Sequence, residues 1–258
     1  MTAPFNPQAF VPLLGDFVSH PLLFTSVSGA HLYGFDSPDS DVDLRGCHIL
    51  PVTDFIGLDE PRLTLDRMAL VDGVEVDLVS HDLKKYVTLL IRQNGNYLEQ
   101  LFSPLMVVDT PRAEELRHLV RQGNIARHVY HAYAAYAKGK HQEWRADAIT
   151  GEGRLKPLLY AYRVALTGIH LLRTGEVNAS LADLAPIYGY SGLLDLIAAK
   201  SAEHIAVPLP VDEHDQALSA LQEDLRAAYE TSPLPNEPQN RAALNDFVVR
   251  VRLELGAA

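Results

Sequence analysis

Ser28-Gly29-Ala30-His31-Leu32-Tyr33-Gly34, followed by Ser37-Pro38-Asp39-Ser40-Asp41-Val42-Asp43-Leu44-Arg45-Gly46, holds the densest chemistry in the chain. Asp41 and Asp43 stand at i and i+2 at the start of a predicted strand, where alternate side chains share a face. Two carboxylates on one face repel unless a cation lies between them, so this spacing suits a hard cation such as Mg²⁺, with Mn²⁺ as the alternative. Asp77 offers a third carboxylate from a neighbouring strand, polar among the alternating apolar residues of Val74–Val79. An Asp-x-Asp pair alone more often marks a solvated turn. The glycine loop before it and Asp77 after it are what favour a metal site. A strand ending in Ser28-Gly29-Ala30 and turning back through Gly34 exposes backbone N–H groups, a nest suited to phosphate oxygens.

Outward from this stretch, the periodicity predicts a helix over residues 5–19, a buried strand over Leu22–Val27, a loop over Ser28–Asp39 and a strand over Val42–Leu50. Leu63–Leu70 and Val74–Ser80 flank Asp72-Gly73, a dipeptide suited to a type I′ hairpin turn. Helices are predicted at Asp82–Arg92 and Tyr97–Phe102, then a short strand at Leu105–Val108. Beyond Pro111 the pattern is helical throughout, with Ala113–Gln122, Ile125–Ala137 and Pro157–Thr174 the clearest segments. Leu181–Tyr188, Leu193–Ala199, Asp212–Tyr229 and Ala242–Leu255 follow. The expectation is an α+β chain. A small mixed sheet occupies residues 1–110, and an all-helical domain over 111–258 closes a cleft upon it.

The 258 residues are 47% hydrophobic and 21% charged, which excludes a wholly disordered chain, a collagen repeat and a disulfide scaffold. A lone cysteine, Cys47, rules out an internal disulfide. No apolar run approaches the roughly 18 residues a membrane span needs, and the N-terminus lacks a basic region, so a cytoplasmic protein is expected. Net charge is −11, which argues against a protein that coats DNA. Residues 112–173 nevertheless carry eleven basic and five acidic side chains between two acidic flanks. Such a block fits either phosphate binding at one place or a solvated helix face.

Small-Gly-Ala…Gly…Ser-Asp-x-Asp resembles the signature of the DNA polymerase β-like nucleotidyltransferases. The longer run His31-x-Tyr33-Gly34…Ser37-Pro38-x-Ser40-Asp41-x-Asp43-Leu44-Arg45-Gly46 is similar to a narrower family, the RNA-ligase-associated (RlaP-like) bacterial nucleotidyltransferases. The similarity extends through Glu75-Val76-Asp77, Gly95–Phe102 and Lys156–Gly175. It implies a palm-like sheet domain and two-metal transfer of a nucleoside monophosphate from a nucleoside triphosphate to a hydroxyl, releasing pyrophosphate. Asp41 and Asp43 would hold the triphosphate's metal, and with Asp77 a second one. Asp77 would also take the acceptor's proton. Ser28, Gly29, Ala30 and Ser40 would line the phosphates. Ala30 stands where the superfamily often has serine, so a hydroxyl near the phosphates is either missing or supplied by Ser28. An RNA 3′ end is the favoured acceptor, a protein hydroxyl is the second, and a non-catalytic nucleotide-binding module is the reading from another class.

Arg45 could pair with a phosphate or brace the acidic loop. Lys156, Tyr160 and Arg163 step by four and three along one helix face, either a grip on the nucleotide or a solvated amphipathic face. Glu99 reads as a structural carboxylate and Cys47 as a buried strand residue. His128, His131, His141 and Glu143 read as ordinary helix residues rather than metal ligands.

Overall fold

The structure, a computed structural model, describes residues 5–71, 73–149, 155–202 and 209–255. After a 3₁₀ turn at Pro7–Phe10, the element order is α1 (Val11–Phe17), β1 (Leu22–Ser28), α2 (Gly29–Tyr33), β2 (Val42–His48), a 3₁₀ turn (Val52–Phe55), β3 (Thr64–Val71), β4 (Val74–Asp82), α3 (Leu83–Ile91), α4 (Gly95–Leu101), β5 (Met106–Asp109), α5 (Pro111–Gly123), α6 (Val129–Ile149), α7 (Leu155–Thr174), α8 (Leu181–Ile187), α9 (Leu193–Ser201), α10 (Val211–Thr231) and α11 (Arg241–Leu255). The chain is α+β, as its sequence predicts. No helix among the described residues is long and apolar enough to cross a membrane.

Two compact units share the chain. The first takes Met1–Gly29, Asp41–Asn124 and Pro238–Ala258; the second takes Ala30–Ser40 and Ile125–Glu237. The sheet-bearing unit therefore includes α5 and α11, drawn from the 111–258 stretch expected to form a helical domain of its own.

In the first unit the five strands lie in the order β3-β4-β2-β1-β5, with β2 and β4 parallel and every other neighbouring pair antiparallel. Alternation along β1, β2 and β4 sends Val27, Val42, Leu44, Val76 and Leu78 to one face, where they pack with Leu14 and Val18. On the other face Ser26 donates its hydroxyl to the Gln100 carbonyl at 2.8 Å, tying α4 to β1. Asp82 ends β4 and caps α3, its Oδ1 accepting from the Lys84 N–H at 2.9 Å. The same carboxylate, fully buried, receives both Arg252 bonds from α11, at 2.8 and 3.0 Å. Arg252 also donates to the Leu50 carbonyl and lies 4.1 Å over the Phe55 ring.

In the second unit α7 is buried on nearly every side from Pro157 to Leu172. Its Gly168 sits so close to α6 and α10 that a Cβ there would meet Tyr133 and Leu225 at 2.9 Å. Residues 28–39 are not wholly loop. Gly29 takes a left-handed backbone, φ +64°, which turns the chain from strand directly into the helical turn α2, and Ala30, Leu32 and Tyr33 are buried there. The structure also carries α6 beyond its expected end at Ala137 to Ile149. The expected hairpin joins β3 and β4, and Gly73 is left-handed at φ +84°; Asp72 lies outside the described residues.

Candidate active site

Register brings the aspartates together. β1 pairs with β2 so that Ser28 lies opposite Asp43, and β2 pairs with β4 so that Asp43 lies opposite Asp77. Two carboxylates on one rung of a parallel pair would repel, and the structure places a cation between them: Arg45, two residues along β2 and on the same face. Its Nη2 donates to Asp43 Oδ1 at 2.5 Å and to Asp77 Oδ2 at 2.9 Å. Its Nη1 donates to the main-chain carbonyls of Asp77 at 2.7 Å and Leu44 at 3.0 Å. Solvent still reaches all three side chains, with 20% of Arg45, 23% of Asp43 and 34% of Asp77 accessible, so a solute can approach.

Gly29 completes this arrangement. A Cβ at that position would fall 1.9 Å from Asp43 Oδ2, so the carboxylate rests where any other residue would put its side chain. Asp41 is exposed, just ahead of β2. Among the described residues no three His, Cys, Asp or Glu side chains converge as a ready metal cage. What converges is a pair of carboxylates about a guanidinium. The donor chemistry nevertheless fits a hard divalent cation: oxygen ligands only, at a place already complementary to positive charge.

Beyond the rung, His81 of β4 lies between Thr64 and Tyr97, with Nδ1 3.0 Å from Thr64 Oγ1 and Nε2 2.9 Å from the Tyr97 hydroxyl. Lys85 donates to the same Thr64 oxygen. Burial, then the positive charges of Lys85 and Arg45, push the His81 imidazole down to about 4, so it is neutral near pH 7. Burial likewise raises the Tyr97 phenol above its usual range. Glu99 of α4 is buried, and Cys47 of β2 is the buried strand residue its sequence context predicts.

Residues 15–250 match the family described as RlaP, RNA repair pathway DNA polymerase beta family. The chain belongs to that family. The match runs well past the first 175 residues in which the resemblance is legible by eye, and it takes in parts of both units. A relative, the uncharacterized protein MJ0002 of Methanocaldococcus jannaschii, is 28% identical over 160 residues, covering 62% of this chain. The match spans 64% of that protein's length. Among solved structures, a nucleotidyltransferase-like protein from Exiguobacterium sibiricum 255-15 aligns over 96% of this chain and 80% of its own at 10% identity, with a TM-score of 0.35. Membership in that family places the chain among DNA polymerase β-like proteins.

The remaining predicted residues belong to the second unit. Ala30 is buried in α2. Ser40 Oγ accepts from the Ser37 N–H at 2.9 Å, and Lys200 of α9 donates to Ser37 Oγ at 2.8 Å and to Ser40 Oγ at 3.4 Å. Ser201 donates to the Asp36 carbonyl at 2.6 Å. The end of α9 thus pins the turn that immediately precedes Asp41. Sequence reasoning misses Lys200 because 160 residues separate it from Ser40.

Lys156 is exposed and Tyr160 half-buried, but Arg163 does not face solvent as its spacing suggests. It is fully buried, with its guanidinium 3.9 Å over the Tyr33 ring. Tyr160 meets Tyr33 and Phe35 edge-on at 5.5 and 5.2 Å. The two side chains hold the 30–40 segment against α7. Part of the basic block is taken up by ion pairs: Arg112 with Glu115 and Glu254, Arg117 with Asp109 and Glu114, Lys140 with Glu143, and Arg145 with Asp215. Of the histidines, His128 pairs with Glu237 and His141 with Asp215, each at 2.7 Å.

Proposed function

We propose that this chain is a Mg²⁺-dependent nucleotidyltransferase, with Mn²⁺ as a substitute, that moves a nucleoside monophosphate from a nucleoside triphosphate to a hydroxyl, favouring an RNA 3′ end. The observation that carries the reading is the in-register placement of Asp43 opposite Asp77, with Asp41 two residues earlier and Gly29 beneath Asp43. Asp41 and Asp43 are the ligands of the triphosphate's metal, and Asp77 joins Asp43 on the acceptor side. A divalent cation bound there supplies the charge that offsets the phosphates and acidifies the acceptor hydroxyl.

The acceptor oxygen attacks the α-phosphorus, the α–β anhydride bond breaks, and pyrophosphate leaves. The acceptor's proton passes to the Asp77 carboxylate. Ser28, Gly29, Ala30 and Ser40 border the phosphates, and Arg45 offers a planar fork to phosphate oxygens. The burial of Arg163 supports a role behind the 30–40 segment instead of at the nucleotide.

The test is pyrophosphate release from each nucleoside triphosphate with Mg²⁺, with and without RNA, in wild type and in Asp43→Asn. Release that requires RNA and disappears in Asp43→Asn is expected. Labelling of a protein in place of RNA would make protein hydroxyls the acceptor. Nucleotide binding without release would make the chain a binding module. Asp77→Ala should leave nucleotide affinity within about threefold while turnover collapses, since Asp41 and Asp43 remain on the triphosphate's metal; equal losses in both would move Asp77 to the binding shell.

A further inference from the structure

We propose that Arg45 is a built-in counter-cation of the metal site. It holds Asp43 and Asp77 together while no metal is bound, and a divalent cation enters only by exchanging with it. The inference rests on the reading of Asp43 and Asp77 as metal ligands.

Three features carry it. Asp43 Oδ1 and Asp77 Oδ2 accept from the same nitrogen, Arg45 Nη2, so the guanidinium uses an oxygen of each carboxylate that a shared cation would need. Asp43 Oδ2 is backed by Gly29 and has no room to turn toward that glycine. The second terminal nitrogen, Nη1, is fixed on the Leu44 and Asp77 carbonyls, which hold the head of the side chain at this rung. A guanidinium matches this demand because its planar donors serve carboxylates and carbonyls together, where an ammonium would serve one set or the other.

Competition follows from electrostatics. A positive charge already bonded to the ligand oxygens neutralises the repulsion that would otherwise favour metal, and an arriving cation has both to break those bonds and to tolerate the displaced guanidinium. Wild-type metal affinity is therefore weaker than the carboxylates alone would give, and the metal-free sheet is correspondingly more stable.

The experiment titrates the full chain with Mn²⁺ alone, reading free ion by electron paramagnetic resonance, and records melting in EDTA. It uses wild type, Arg45→Met, Arg45→Lys and Asp43→Asn. Arg45→Met should melt lower in EDTA and bind Mn²⁺ about tenfold or more tightly than wild type, as loss of a competing charged hydrogen bond implies. Arg45→Lys keeps the charge but gives up the carbonyl anchors, so it should tighten binding severalfold; it carries the test if the methionine variant does not fold. Unchanged or weakened Mn²⁺ affinity in the folded Arg45 variants overturns the exchange. Asp43→Asn separates the two readings. If it binds Mn²⁺ as well as wild type, the ligand assignment fails and the exchange with it; if it loses Mn²⁺ while the Arg45 variants do not tighten, the exchange alone fails.

Discussion

Gly29→Ala places a methyl carbon where Asp43 Oδ2 now rests, on a backbone that is left-handed besides. The backbone alone costs about 1–2 kcal/mol in a residue with a Cβ, and the carboxylate must also move. A loss at least that large in urea unfolding is expected, together with loss of nucleotidyl transfer. The two aspartates of the Asp-x-Asp pair should part company in stability. Removing charge from a bare carboxylate cluster would hold or raise the metal-free melting temperature, and Asp41→Asn should behave so. Asp43→Asn should instead lower it, because Asp43 is bonded to Arg45 and a charged hydrogen bond is worth about 1.5–3 kcal/mol. Parallel melts in EDTA decide between them, and equal melts would mean that Arg45 does not hold Asp43 in solution.

Elements β2 and β4 each carry a histidine that burial depresses from 6.5 to about 4, His48 and His81. The native chain keeps both neutral, while the unfolded chain takes up protons below pH 6.5. Their contribution is therefore complete above pH 6.5 and is lost progressively as pH falls toward 4. The urea midpoint should drop between pH 7 and pH 5, and a flat midpoint would contradict the burial of these rings. In α7, Arg163→Ala should lower melting strongly, by about 2 kcal/mol or more for a desolvated cation–aromatic stack, where a solvent-facing arginine would have left it unchanged. The element scale is also where the sequence is most readable. Period-two alternation exposes β2 and β4, and with them Asp43 and Asp77, because a half-buried strand writes its faces into the residues, while β1 reads as a continuous buried run. Arg45 was within reach too, since i+2 puts it on the Asp43 face, but only register reveals the carboxylate on the next strand. Arg163 misleads because a buried arginine among apolar neighbours has the same spacing as a polar stripe. The helical turn α2 is hidden by its own glycine, whose freedom reads as loop.

At the scale of the whole molecule, the Asp82–Arg252 pair joins residues 170 apart inside the sheet-bearing unit. A fragment ending at residue 110 would leave Asp82 buried without Arg252, and stranding a buried charge costs about 3–5 kcal/mol. That fragment should show poor amide dispersion by NMR, whereas a chain lacking only the last few residues after Leu255 should fold normally. A well-dispersed 1–110 spectrum would show that the sheet is sufficient by itself. The order of synthesis then acquires a meaning. Every residue of the second unit has been made once Glu237 is joined, but the first unit still waits for Pro238–Ala258. Domains made earlier ordinarily fold earlier; here the aspartate-bearing unit is begun before the second unit and completed after it. At about 5–20 residues per second the delay is roughly one to four seconds. A message truncated anywhere before the Arg252 codon would yield the aspartates without the arginine that Asp82 requires, so no nascent chain carries a finished first unit ahead of its time.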